Sequence, residues 1–87
     1  MKYQIVAVRD RAADAFAVPQ FVASIGGWIR AFGDEINRKA DNNQLAQHPE
    51  DFDGFHLGEY DDATAEFSLF DRPRQIAIGK DLVRSEQ

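Results

Sequence analysis

Residues 48–67 read HPEDFDGFHLGEYDDATAEF, and the reading of this stretch decides the fold. It holds seven carboxylates (Glu50, Asp51, Asp53, Glu59, Asp61, Asp62 and Glu66) and the two histidines His48 and His56, with no lysine or arginine. A metal or acid–base site would need these groups gathered on one face. An EF-hand register with its glycine at Gly54 puts Pro49 at the first ligand position and Tyr60 at the twelfth, where a carboxylate is required. His48 and His56 lack the spacing of a helical zinc pair, and on a regular strand His56 and Glu59 point to opposite faces. An acid–base pair needs one desolvated carboxylate beside a hydrated one. Most of these acids instead fall at turns, where water screens them.

The stretch therefore reads as a β-hairpin. FHLGEY (55–60) and EFSLF (66–70) are β-like runs, and DDATA (61–65) between them is turn chemistry, because aspartate side chains accept hydrogen bonds from nearby backbone amides. Asp61 and Asp62 are turn residues, while Glu59 and Glu66 line a solvated face. Alternation puts Phe55 and Leu57 on one face, to be matched by Phe67 and Leu69 across the hairpin.

Working outward, residues 2–9 (KYQIVAVR) are apolar on both alternating faces in the middle, which predicts a strand that is central or covered on both sides. Residues 10–21 form a surface excursion in which Pro19 stops any early helix and keeps Val18 extended. Ile25, Trp28, Ile29, Phe32 and Ile36 then recur at helical spacing behind Ser24, predicting an amphipathic helix with Ser24 as N-cap. Gly26, Gly27 and Gly33 cost that helix on the order of 1 kcal/mol each relative to alanine, so packing on a sheet must hold it. The glycine pair in the first turn would also admit a close backbone. Trp28 on the stripe belongs to the core. A further helical turn is expected around Leu45, and Ile76 and Ile78 suggest an edge strand. The expected fold is α+β: an antiparallel or mixed sheet of three to four strands in β-α-β-β order, with one main helix on one face. Residues 1–87 make a single domain, with 84–87 a frayed tail.

Composition narrows the function. With 87 residues and no cysteine, neither disulfides nor thiolate metal sites contribute. One helix covers only one face of a small sheet, so a homodimer through a sheet edge or the helix is expected. No apolar run reaches the roughly 20 residues of a membrane span, and residues 1–11 do not read as a signal peptide. The reading is a soluble, intracellular protein. The net charge of −5 is unevenly spread: residues 1–39 carry +2, residues 40–71 carry −9 and residues 72–87 carry +2. An acidic whole disfavours unaided salt-driven duplex binding, but a local basic patch can still meet nucleic acid. Arg9, Arg11, Arg72, Arg74 and Lys80 are the candidate nucleic-acid-binding residues, forming one basic edge if the final segment returns beside the first strand; exposed Tyr3, Tyr60 or Trp28 would add stacking. The competing reading has these arginines neutralising the acidic hairpin in surface ion pairs. Glu59, Asp61, Asp62 and Glu66 are the candidate partner-docking set. Ser24 and Ser68 have no nucleophile elbow, and the glycines make no phosphate loop. No catalytic residues, metal or cofactor are expected.

The wording of the chain carries one resemblance. YQIVAVRDRAADAF (3–16), VPQF (18–21), IRAFGDEINR (29–38), HPEDFDGFHLGEYDDATAEF (48–67) and DRPRQIAIGK (71–80) together resemble the small non-structural protein of gokushoviruses, microvirus-like single-stranded DNA phages. The resemblance spans nearly the whole chain, and HPEDF…LGEYDDAT followed by RPRQ is its most specific combination. It departs at Ala65, where relatives tend to have glycine after the hairpin threonine. The resemblance implies a protein of the infected bacterial cytoplasm, absent from the mature virion. It implies a role in viral DNA synthesis and packaging, with the replication initiator, its DNA complex or single-stranded DNA as partner. It supplies no catalytic residues. The alternative is an acidic docking module that never contacts DNA.

Overall fold

The double-sided apolar run near the amino terminus forms the strand at the centre of the sheet. In the computed structural model, which describes residues 1–84, β1 (Lys2–Asp10) pairs antiparallel with β4 (Phe52–Asp61) on one side. On its other side it pairs with two short strands, β2 (Ala15–Phe16) and β3 (Gln20–Val22). β4 then pairs with β5 (Glu66–Ile78), so the five-stranded antiparallel sheet runs β2/β3–β1–β4–β5. The α+β class and the single covering helix are as expected. The supposed surface excursion at residues 10–21 differs, because it supplies the two short strands. It stays close to β1 through Asp10, whose carboxylate accepts from the Ala12 and Ala13 amides, and through the Ala17 amide bonded to the Val8 carbonyl.

The hairpin reading holds for the turn and fails in its register. Asp61 accepts from the Ala63 amide through its side chain and from the Ala65 amide through its carbonyl, and Ala65 sits at φ +60°. Residues 66–70 and 76–78 are not separate strands, because β5 runs through both. It does so by a wide bulge: Leu69 pairs with Gly58 and Arg74 with His56, leaving residues 70–73 opposite Leu57 alone. Pro73, which has no N–H to give to a ladder, lies in this unpaired segment. Gly58 sits at φ +154°, and a Cβ there would strike the Ser68 carbonyl.

A second irregularity, at Leu57 of β4 between the partners of Ile5 and Val6, corrects two facing assignments. His56 pairs with Val6 and Glu59 with Gln4, and both partners are even positions of β1, so His56 and Glu59 share a face. Phe55 pairs with Ala7 and Gln75 and meets Phe16 edge-on at 5.3 Å, whereas Phe67 lies opposite Tyr60 and Leu69 opposite Gly58.

Helix α1 (Ile25–Ile36) begins as expected, with the Ser24 hydroxyl accepting from the Gly27 amide at 3.1 Å. No backbone approaches the glycine pair: Gly26 has open space, and Gly27 leaves room for the Ser24 cap. The apolar stripe of α1 packs Trp28, Phe32 and Ile36 onto Val6 and Ala77. Trp28 stacks on Phe32 with ring centres 5.0 Å apart and donates through Nε1 to the Gln20 side chain at 2.8 Å, so it is a core residue. Helix α2 (Gln44–Gln47) forms the turn expected around Leu45. Ahead of it, buried Asn43 donates to the Glu35 and Arg38 carbonyls at 2.9 and 2.7 Å, closing the end of α1. The carboxyl-terminal segment is tied down as far as Arg84, whose amide donates to Asn37 and whose guanidinium meets Asp34 at 2.8 Å. Residue 84, the first of the expected tail, is thus bonded to the end of α1. The rest of that expected tail, residues 85–87, lies outside the described residues.

Twelve helical residues span about 18 Å, whereas the nine of the central strand β1 span about 30 Å. The helix therefore covers one end of the sheet and leaves the hairpin end bare, which gives overall extents of 46 × 27 × 20 Å.

Candidate surfaces for nucleic acid and partner proteins

The acidic candidates gather at the uncovered end. Asp61 and Glu66 are direct cross-strand partners on the helix side of the sheet, with Glu59 one pair further along. Lys2 reaches Glu59 at 3.8 Å, and Asp62 accepts from the Met1 amino group at 2.8 Å. Like charges directly opposite one another destabilise a pair, so the Asp61–Glu66 juxtaposition is held by the turn and by hydration.

The basic candidates do not converge. β4 lies between β1 and β5, so the final segment does not return beside the first strand, and the single basic edge is corrected on that ground. Arg9 is bound by Asp14 at 2.7 Å, and Arg11 by Asp53 at 3.1 Å and by the Glu50 carbonyl at 2.7 Å. The neutralising reading thus describes these two, although their partners are not hairpin-tip acids. Arg72 and Arg74 lie in and beside the β5 bulge and make no ion pair among the described residues, nor does Lys80 in the turn that follows β5. The Arg74 guanidinium sits over the Phe70 ring, 3.6 Å from its centre, and Phe70 in turn meets His56 edge-on at 4.7 Å.

Charges separated along the sequence are thus partly mixed in space, as Arg38–Glu35 at 2.6 Å and Arg84–Asp34 at 2.8 Å also show. The Arg38 guanidinium holds the Glu35 carboxyl below the usual carboxylate range by hydrogen bonding, and Glu35 raises Arg38 in return. Both side chains are about half exposed, so water screens the pair and its stabilisation is small.

The histidines stay apart in role. His56 Nε2 hydrogen-bonds the Gln4 side chain at 2.8 Å, and His48 faces Glu50 at 3.8 Å. Among the described residues, His48, Glu50 and Asp51 bring ligand atoms within 4.8 Å of one another, but His48 and Glu50 are exposed. Asp53 departs from the expectation that water screens the acids. It is buried to 3% exposure, and its Oδ1 has no partner among the described residues while Oδ2 meets Arg11. The run of acids hid it, because only strand pairing to both Arg9 and Ile78 takes Asp53 away from water.

The face opposite the helix was also missed. It carries Tyr3, Phe21, Tyr60 and Phe67 around an open groove of about 410 Å³. Phe21 meets Tyr60 at 5.6 Å and Phe67 at 6.1 Å, and Tyr60 meets Phe67 at 4.8 Å. The readable signal was the odd positions of β1 (Tyr3, Ile5 and Ala7), which put an apolar stripe on the side the helix cannot reach.

Together these features define a small two-layer α+β protein that displays a charged hairpin, an arginine-bearing bulge and a bare aromatic face. Residues 3–82 match the family described as Phage ORF5 protein. The chain belongs to that family and is a phage protein. No curated protein and no solved structure matches it. No described helix is long and apolar enough to cross a membrane.

Proposed function

We propose that this chain is a non-catalytic accessory protein of a gokushovirus-type phage. It acts in viral DNA synthesis and packaging in the host cytoplasm by attaching to single-stranded DNA within the replication complex. One observation carries the reading: Arg72 and Arg74, without carboxylate partners among the described residues, lie in and beside the bulge of the edge strand, with Arg74 stacked on Phe70. A guanidinium beside an exposed strand edge suits a phosphate, and an adjacent ring suits a base, the combination that single strands take without sequence preference. Family membership and the wording of residues 48–80 support the phage DNA context.

The test is single-strand binding of the purified protein across a salt series, beside Arg72→Ala/Arg74→Ala. Loss of two phosphate contacts should flatten the log–log salt slope by about 1.4. Binding to neither DNA nor the phage initiator overturns the proposal. A second reading rests on the Asp61–Glu66 pair, which no cation bridges among the described residues. In it, the acidic hairpin docks a basic viral or host protein without DNA contact, and Asp61→Lys/Asp62→Lys abolishes that docking while the arginine changes leave it intact.

A further inference from the structure

We infer that the bare aromatic face of the sheet is the contact surface between two copies of this chain, packed sheet on sheet. It is distinct from the DNA-directed bulge, and neither the edge nor the helix anticipated from sequence serves as the contact. Both edges are poor templates for pairing. β5 is broken by its bulge at Pro73, and the other edge consists of a two-residue and a three-residue strand. The open face has the opposite character. Strand pairing puts Tyr3, Ile5 and Ala7 of β1 in line with Phe21 and Tyr60 on their flanks. The stripe continues to Phe55, Phe67 and Leu69. Ile5 and Ala7 are already buried at 3% and 2%, whereas Phe21, Phe67 and Leu69 are 50%, 57% and 64% exposed. The centre of this layer is thus sealed while its rings still face water.

Area and charge select the occupant. From the Tyr3 row to the Arg9 row is about 20 Å along the strands, and four strands are about 19 Å wide, so the patch projects to on the order of 400 Å². Contiguous apolar patches of roughly 300–600 Å² mark interaction sites on soluble chains. Such a patch forms the apolar centre of an interface in which each partner buries about 800 Å², the rim supplying the remainder. No charged side chain projects from the stripe before Arg9, which Asp14 already holds. A nucleic-acid backbone would find no unpartnered cation there, and a basic protein would find no carboxylate. A second copy brings the same uncharged rings at the roughly 10 Å spacing of packed sheets, and a two-fold axis makes the patch complementary to itself.

The charge gives the contact a diagnostic sign. Each copy carries a net charge of −5, so apposed copies repel through solvent. Salt screens that repulsion over about 10 Å at 0.1 M, so self-association strengthens as salt rises, whereas binding of DNA or of a basic protein weakens.

The experiment is sedimentation equilibrium of the whole chain from micromolar to millimolar concentration at low and high salt, beside Phe67→Asp and Leu69→Asp. Both positions are exposed, so circular dichroism and the single Trp28 emission should show the fold retained. The expected result is a monomer–dimer equilibrium that tightens with salt and weakens about tenfold or more in either variant. A strict monomer throughout, or a dimer that both variants leave intact, overturns the inference. So does dimerisation that salt weakens. If the variants instead abolish DNA binding in a monomeric protein, the face is a base-stacking platform and the inference fails, although the DNA reading stands.

Discussion

Gly54→Ala is the sharpest test of how the helix sits on the sheet. Gly54 pairs with Val8 and Ala77 on the helix side. An added Cβ would lie 2.5 and 2.6 Å from the Cζ3 and Cη2 atoms of Trp28, and 3.3 Å from the Ala77 Cβ. The indole cannot swing aside cheaply, because it stacks on Phe32 at 5.0 Å and its Nε1 donates to Gln20. One methyl forced into a filled core costs about 1–3 kcal/mol, and a contact this short against a held ring belongs at the upper end, about 3. Replacing glycine in a strand returns roughly 0.5–1 kcal/mol through reduced backbone freedom in the unfolded chain. The net expectation is a loss of about 2 kcal/mol, or a Tm lower by roughly 8–16 °C for a domain of this size. Urea unfolding followed by the emission of the single tryptophan measures it directly. Trp28→Leu in the same background removes the colliding atoms, so the double variant should be more stable than the sum of the two single losses, with a coupling of about 1 kcal/mol or more. A Gly54→Ala protein within about 0.5 kcal/mol of the parent, or strictly additive losses, would refute this packing of α1 against β4.

Two further substitutions probe the turn and the buried acid. Ala65 holds φ +60°, a left-handed conformation that costs an L-residue roughly 1–2 kcal/mol, while glycine loses more freedom on folding. Ala65→Gly should therefore stabilise by about 0.5–1 kcal/mol in the same urea assay; a loss would mean that the alanine is not strained. Arg11→Ala should cost about 2–3 kcal/mol by leaving the Asp53 carboxylate buried without a partner, whereas Arg9→Ala, whose partner Asp14 is 84% exposed, should cost about 1 kcal/mol or less. Equal costs would show that burial of Asp53 does not govern the pair. Adding Asp53→Asn to Arg11→Ala should recover part of the loss.

How much of this was legible in the sequence depended on periodicity. The helix was readable to its cap because five apolar residues at helical spacing follow a serine that can accept an amide. The central strand was readable because Ile5, Val6, Ala7 and Val8 leave no polar side. The hairpin turn was readable because Asp61 and Asp62 supply local acceptors. What failed was anything that depended on a departure from period two. The bulge at residues 70–73 costs nothing visible in hydropathy, yet it shifts register and joins two expected strands into one, and a separate shift of β4 at Leu57 against β1 brings His56 and Glu59 to the same face. The strands β2 and β3 are too short to show alternation and exist because β1 offers them an edge. The burial of Asp53 follows from cross-strand neighbours distant in sequence, and the scattering of the arginines follows from β4 lying between β1 and β5. Neither is a local property.

The elongation of the sheet explains why the charged and aromatic features can differ from the core in what they tolerate. The residues that hold the fold are Trp28, Phe32 and Ile36 of the helix and Val6 and Ala77 beneath it. The hairpin acids and the Tyr60–Phe67 pair lie beyond its roughly 18 Å reach, and the β5 bulge falls between them and Ala77. A substitution at Phe67, Leu69 or Asp62 therefore removes little buried area, while one at Gly54 or Trp28 disturbs the centre of the core. Stability and attachment are consequently separable along the long axis of the molecule. That separation makes surface variants readable: a lost partner without a lost transition points to the surface itself, and the two measured together distinguish a broken contact from a broken fold.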